Sequence, residues 1–210
     1  MADWVTISAI ASAGGTLVLA AATFASVKSA HRAARVAERS LMAGLRPLLM
    51  PSKLDDPEVK VGFADDKWLK VPGGQAAVDI TPQTVYMAMG LRNVGTGIAV
   101  LHGWHFFPER SYENTVPTPL EDFTRLNRDL YVPAGDVGFW QGAFRDPAAP
   151  AFAEAASAFT ARRPVMIDLL YGDHEGGQRV ITRFSLMPRA DDGWVATAGR
   201  YWNVDRDDPR

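Results

Sequence analysis

The sequence predicts a mainly β protein carried on a single N-terminal transmembrane helix that is extended by a juxtamembrane helix. The folded domain is expected to be an antiparallel, Ig-like β-sandwich with one short connecting helix. Three observations carry this. Residues 4–27 form an apolar run without one Asp, Glu, Lys, Arg or His, and about 20 apolar residues in a helix cross a bilayer core of about 30 Å. From Arg46 onward, apolar residues recur at period two in short runs bounded by Gly, Pro, Asn and Asp, the pattern of strands joined by turns. Strands do not alternate regularly with helices, so a parallel sheet is not expected. The expected division is a transmembrane and basic juxtamembrane helix over 1–44, a β-sandwich domain over 45–203 and a charged C-terminal tail over 204–210.

The first element is read as a span because its rivals fit less well. A cleaved secretory signal would open on Lys or Arg, whereas Met1, Ala2 and Asp3 lead this run. A buried core helix would carry a polar stripe, and Ser8, Ser12, Thr16, Thr23 and Ser26 are too apolar a set to make one. Ser8 with Ser12, and Ala11 with Gly15, place small residues four apart, a spacing that lets two helices approach closely. Lys28, His31, Arg32, Arg35 and Arg39 crowd the C-terminal flank, which predicts the N-terminus outside and the large domain in the cytoplasm, at the inner (plasma) membrane.

The helix is expected to run on to Met42, since the segment after Val27 is rich in Ala, Arg, Leu and Glu and holds no Gly or Pro before Gly44. Lys28 and Arg32 are placed to meet anionic headgroups. Arg35 and Arg39 lie further along, where packing or a partner is expected instead.

The early strands are expected at 48–51, 59–63, 76–80 and 85–91. In the last, Val85, Met87, Met89 and Leu91 face one way and Tyr86, Ala88 and Gly90 the other. A turn at Asn93-Val94-Gly95-Thr96-Gly97 leads to a strand through Trp104 and Phe106. Residues 108–129 are polar, hold Pro117 and Pro119, and read as a long loop with one helical turn at 120–126. A strand at 137–144 precedes a short helix that ends near Arg162, with Phe152, Ala155, Ala156 and Phe159 on one face. Val165, Ile167 and Leu169, then Val180, Thr182, Phe184 and Leu186, alternate about a Gly-rich turn, which reads as a hairpin. A last strand is expected from Trp194.

The layout of span, basic helix, Arg46-Pro47-Leu48, the Asn93–Gly97 turn and the Tyr171-Gly172-Asp173 hairpin resembles uncharacterised bacterial single-pass membrane proteins that carry a cytoplasmic β-sandwich domain. The shared motifs are turn chemistry, so the resemblance implies location and fold and transfers no catalytic residue.

Four places in the sequence offer candidate chemistry. The Asn93–Gly97 turn lacks the helix start that an anion-binding loop needs, and its glycines are expected to supply positive φ. His102 and His105, three apart on a strand, should point to opposite faces and share no metal. Asp173, His174 and Glu175 sit at an expected hairpin tip, where solvent leaves pKa values untuned. Trp68, Trp104, Trp140, Trp194 and Trp202 read as core residues. The chain has no cysteine, and with 22 basic against 24 acidic residues its net charge is −2, too balanced to indicate nucleic acid.

No catalytic, cofactor-binding or metal residue is therefore expected. The expected role is a membrane-tethered, non-enzymatic protein-interaction or scaffold module, an accessory subunit of a membrane complex or a homo-oligomer. Its expected partners are membrane lipid and either a protein or a second copy of the chain. The alternative is a membrane-associated hydrolase or small-ligand-binding protein using His102, His105, Asp173 or His174.

Overall fold

The computed structural model of the chain describes residues 3–111 and 115–206, and for 5–11, 39 and 43 the backbone alone. It divides into Met1–Ala43 and Gly44–Arg210. The first unit holds all but the last residue of α1, Trp4–Gly44, a helix of 41 residues and so about 60 Å long. No proline interrupts it, and Pro47 follows closely. Among the described residues it is the one helix long and apolar enough, within Ser12–Met42, to cross a membrane. Two of its hydroxyls bond back into the helix: Thr16 Oγ1 donates to Ser12 O at 2.9 Å and Thr23 Oγ1 to Leu19 O at 2.8 Å.

The second unit contains, in chain order, β1 Leu49–Pro51, β2 Val59–Gly62, β3 Trp68–Val71, β4 Gln75–Ile80, β5 Val85–Asn93 and β6 Ala99–Phe107. A 3-10 turn Leu120–Asp122 leads to β7 Thr124–Val132 and β8 Val137–Phe144. α2 Pro150–Thr160, β9 Val165–Gly172, β10 Val180–Pro188 and β11 Trp194–Asn203 complete it. Nine strands form one antiparallel sheet in the order β1-β5-β4-β11-β10-β9-β6-β7, with β8 on the other edge of β5; β2 and β3 pair apart. Where the sequence suggests the two facing sheets of an Ig-like sandwich, one sheet carries nearly all the strands. It curls on itself, so that its concave face buries its own core.

That inner core gathers Leu49, Met87, Met89, Trp104, Trp140, Ile167, Tyr171 and Phe184. The period-two pattern is obeyed strictly on β5, where Val85, Met87, Met89 and Leu91 enter the inner core. Its other face is buried too, because Tyr86 and Ala88 meet Val61, Phe63, Leu69 and Val71 of the β2–β3 hairpin. From α2, Ala155, Ala158 and Phe159 enter the inner core, Phe159 standing edge-on to Trp194 at 5.1 Å.

A buried amide ties the ends of these strands together. Asn93 is fully buried, and its side chain uses its whole hydrogen-bonding capacity. Oδ1 accepts from Leu48 N at 3.1 Å and Gly95 N at 3.0 Å, while Nδ2 donates to Gly97 O at 2.6 Å and Val132 O at 3.0 Å. The turn after it wraps the segment 45–48, Val94 N donating to Leu48 O and Thr96 N to Arg46 O. Gly95 and Gly97 do not adopt positive φ, against the sequence expectation. They are glycines because a Cβ at 95 would lie 2.4 Å from Arg46 O, and one at 97 would lie 1.7 Å from Leu45 O.

On the convex face, Asp168 of β9 and Arg183 of β10 are register partners and both buried. Arg183 Nε and Nη2 donate to the two carboxylate oxygens at 2.6 and 2.7 Å. Its guanidinium lies between the Phe107 and Trp202 rings, 4.8 and 4.9 Å from their centroids. The loop expected over 108–129 is held here, through Thr118 Oγ1 donating to Asp168 at 2.6 Å and Val116 O accepting from Arg183. The loop is shorter than expected, since β7 begins at Thr124.

Two stability predictions follow from these contacts. Asn93→Ala strands two N–H groups and two carbonyls, each worth roughly 1–3 kcal/mol when buried unpaired, so thermal unfolding should show a loss of about 3 kcal/mol or more. Asp168→Asn leaves a buried cation without its counter-charge and should cost about 3–5 kcal/mol, whereas Asp168→Leu with Arg183→Met should recover most of it.

Candidate functional site

β7 and β8 are consecutive strands joined by a short turn, yet they never pair with each other. β7 is laddered to β6 alone and β8 to β5 alone. The turn is pinned at its base, Asn93 N donating to Asp136 O at 3.0 Å and Gly135 N to Asn93 O at 2.8 Å, with Gly135 at φ +76°. From that apex the two strands diverge and leave a cleft of about 580 Å³.

The divergence has a local cause. Leu101 pairs with Leu130, but Gly103 pairs with Arg125, so residues 126–129 of β7 stand opposite His102 alone and arch out of the ladder. Trp104, Leu126 and Leu130 supply apolar lining, and β2–β3 adds Phe63 and Trp68. Gly142 is a glycine for space, since a Cβ there would lie 2.7 Å from Trp140 and 3.1 Å from Trp104.

The charge of the cleft is one-sided. Among the described residues, Lys60, Arg125, Arg128 and Arg145 line it and no carboxylate does. Arg145 has Asp65 at 3.7 Å; that carboxyl is held below its ordinary pKa chiefly by the Tyr86 hydroxyl, which donates to it at 2.6 Å. Arg128 Nη2 spans the cleft to Gln141 Oε1 at 2.9 Å and Gly62 O at 3.3 Å. Among the described residues, Lys60, Arg125 and Arg128 form no ion pair.

Several residues singled out in the sequence stand elsewhere than expected. His102 is the extra residue of a bulge on β6, between the pairs Leu101–Tyr171 and Gly103–Leu170. The alternation shifts there, so that Leu101 and Trp104 both enter the inner core and His102 and His105 share the outer face. They remain apart in chemistry. His105 Nδ1 is hydrogen-bonded to Asp122 O at 3.0 Å, while His102 Nε2 lies against Gly172. No metal-holding group of His, Asp and Glu exists among the described residues.

Asp173 is 1% exposed rather than solvated. Its Oδ1 accepts from Gly177 N at 2.9 Å, and its Oδ2 is buried without a hydrogen-bond partner among the described residues. His174 and Glu175 are exposed as expected, 3.3 Å apart. Trp68 is 65% exposed, while Trp104, Trp140, Trp194 and Trp202 are buried. On α1, Lys28, Arg32, Ser12 and Gly15 are exposed; the Ser8 and Ala11 side chains, and residues 207–210 of the tail, lie outside the described residues.

No family model matches this chain, and no curated protein does. A crystal structure of a protein from Archaeoglobus fulgidus is similar over 62% of this chain and 94% of its own, at 11% identity and a TM-score of 0.25. That likeness is too slight to bear on the role.

The His102 imidazole is held below its ordinary pKa of 6.5, first by burial and then by Arg179. The folded ring thus resists a proton that the unfolded chain accepts. Its share of stability is whole above about pH 6.5 and is lost as the pH falls from there towards the folded value. Melting temperature should drop between pH 7.5 and 5.5, and His102→Gln should make that drop smaller.

Proposed function

We propose that the protein is a membrane-tethered, non-enzymatic interaction module, in which α1 is the anchor and the β unit offers the β7–β8 cleft to a protein partner. The observation that carries the reading is α1. Leu17, Val18, Leu19 and Phe24 are each at least 70% exposed, an arrangement that water penalises and hydrocarbon does not. Thr16 and Thr23 donate back into the helix, as hydroxyls in lipid must. Trp4 at one end and Lys28 and Arg32 beyond the other are the residue types that mark the two interfaces of a span.

The positive flank supports a β unit on the cytoplasmic side of the inner membrane, with Lys28 and Arg32 against anionic headgroups. Ser12 and Gly15, continuing the four-residue spacing of Ser8 and Ala11, suit close packing against another span or a second copy. The cleft's cations and aromatic rings suit the binding of an anionic, partly apolar ligand.

Leu17→Arg with Leu19→Arg places two charges at the helix centre at about 2.5–3.5 kcal/mol each. That variant should pass from the membrane fraction to the soluble one. Because the chain has no cysteine, Asp3→Cys and Glu154→Cys can each carry the sole thiol. An impermeant maleimide should label the first in intact cells and the second only after lysis; the reverse order would overturn the orientation, and full recovery of the Arg variant in membranes would overturn the anchor.

A further inference from the structure

We infer that the β7–β8 cleft takes an acidic, extended segment of a partner protein, which adds as a strand to the free edge of β8. This rests on the reading of the β unit as a protein-binding module and names the chemistry of what it binds.

β8 pairs continuously with β5 from Val137 to Phe144. In an antiparallel ladder alternate residues turn their N–H and C=O groups to the opposite edge. Among the described residues no strand is laddered to that edge. β7, which chain order would make its hairpin partner, is arched away at 126–129. An added strand would give those groups the hydrogen bonds that β7 does not supply.

Side chains select the occupant. Lys60, Arg125, Arg128 and Arg145 are exposed at the cleft, whereas Trp104 is buried and Leu126 and Leu130 are half-buried. A strand sends successive side chains to opposite sides. A segment alternating acidic with apolar residues therefore presents its carboxylates to the cations and its apolar side chains to Trp104, Leu126 and Leu130. The same four charges deter a second copy of β8 from pairing edge to edge, since like cations would be brought together. Arg128, held by Gln141 and Gly62, is the gate such a segment would displace or salt-bridge.

The test uses the full chain in lipid nanodiscs, panned against a phage-displayed library of random linear dodecapeptides. Enrichment of acidic, proline-poor sequences is expected. Lys60→Glu with Arg125→Glu, both exposed positions, should weaken the best selected peptide roughly tenfold or more. In the wild type, that peptide should slow amide exchange across β8. No enrichment, enrichment of basic or proline-rich sequences, unchanged β8 exchange, or competition by dodecathymidylate as strong as by unlabelled peptide would each overturn the proposal.

Photocrosslinking in membranes separates this failure from that of the underlying reading. With p-benzoylphenylalanine at Asn127 in the cleft or at Glu154 on α2, protein adducts at Asn127 that the selected acidic peptide competes away support the proposal. Adducts at Glu154 alone remove the cleft but keep the interaction module. None at either site removes both.

Discussion

The Asn93 side chain is the point through which the β unit holds its shape. It is sealed from water and joins three stretches of chain that sequence keeps far apart: the segment before β1, the turn after β5 and the end of β7. In a medium of low dielectric an amide with every group paired rigidifies its surroundings, and one with a group unpaired is costly, so the node works as a whole. Tyr171 adds a second tie from across the core, its hydroxyl accepting from Leu49 N at 3.1 Å and lying 2.9 Å from Thr182 Oγ1. Burial pushes that phenol above its ordinary pKa, keeping it neutral and able to donate. Gly95 and Gly97 are consequences of the same tie, since only glycine lets the backbone pass that close.

The cleft grows from this fixed apex. Because Asn93 holds Val132 and the turn at Gly135 and Asp136, the hairpin is closed at one end. The arch of β7 opposite His102 keeps it open at the other. A curled sheet that nearly closes must do something with its two free edges, which otherwise invite aggregation. Here they face one another across a cleft lined with cations and partly roofed by the β2–β3 hairpin. The arrangement discourages indiscriminate edge-to-edge pairing.

The convex face is organised around a different device. Arg183 is clamped by Asp168 and by two aromatic rings, and the 115–123 segment closes over the pair. Two charges this deep cost a large desolvation, which their bidentate geometry and the Thr118 hydroxyl offset. The intact pair adds little net stability, whereas removing one partner is costly. It accounts for a long, polar, proline-bearing segment lying on a sheet rather than free of it.

Much was legible from residue order alone because it depends on neighbours a few positions away. The unbroken apolar and helix-forming run of α1, the alternation on β5, β9 and β10, and the antiparallel, mainly β character are local patterns, and periods of 3.6 and 2 express them directly. β7 escaped because Leu126 alone interrupts the polar run from Thr124 to Asp129, and its exposed polar residues look like a loop. His102 and His105 share a face, Asp173 is buried and Trp68 is exposed for the same kind of reason. Register, bulges and the fit of one strand against another are decided by distant partners. Composition and periodicity therefore determined that this chain would join a long apolar helix to an antiparallel β unit. Which edges stay unpaired, and the cationic cleft between them, came only with tertiary structure, because a cleft is made by strands that fail to meet.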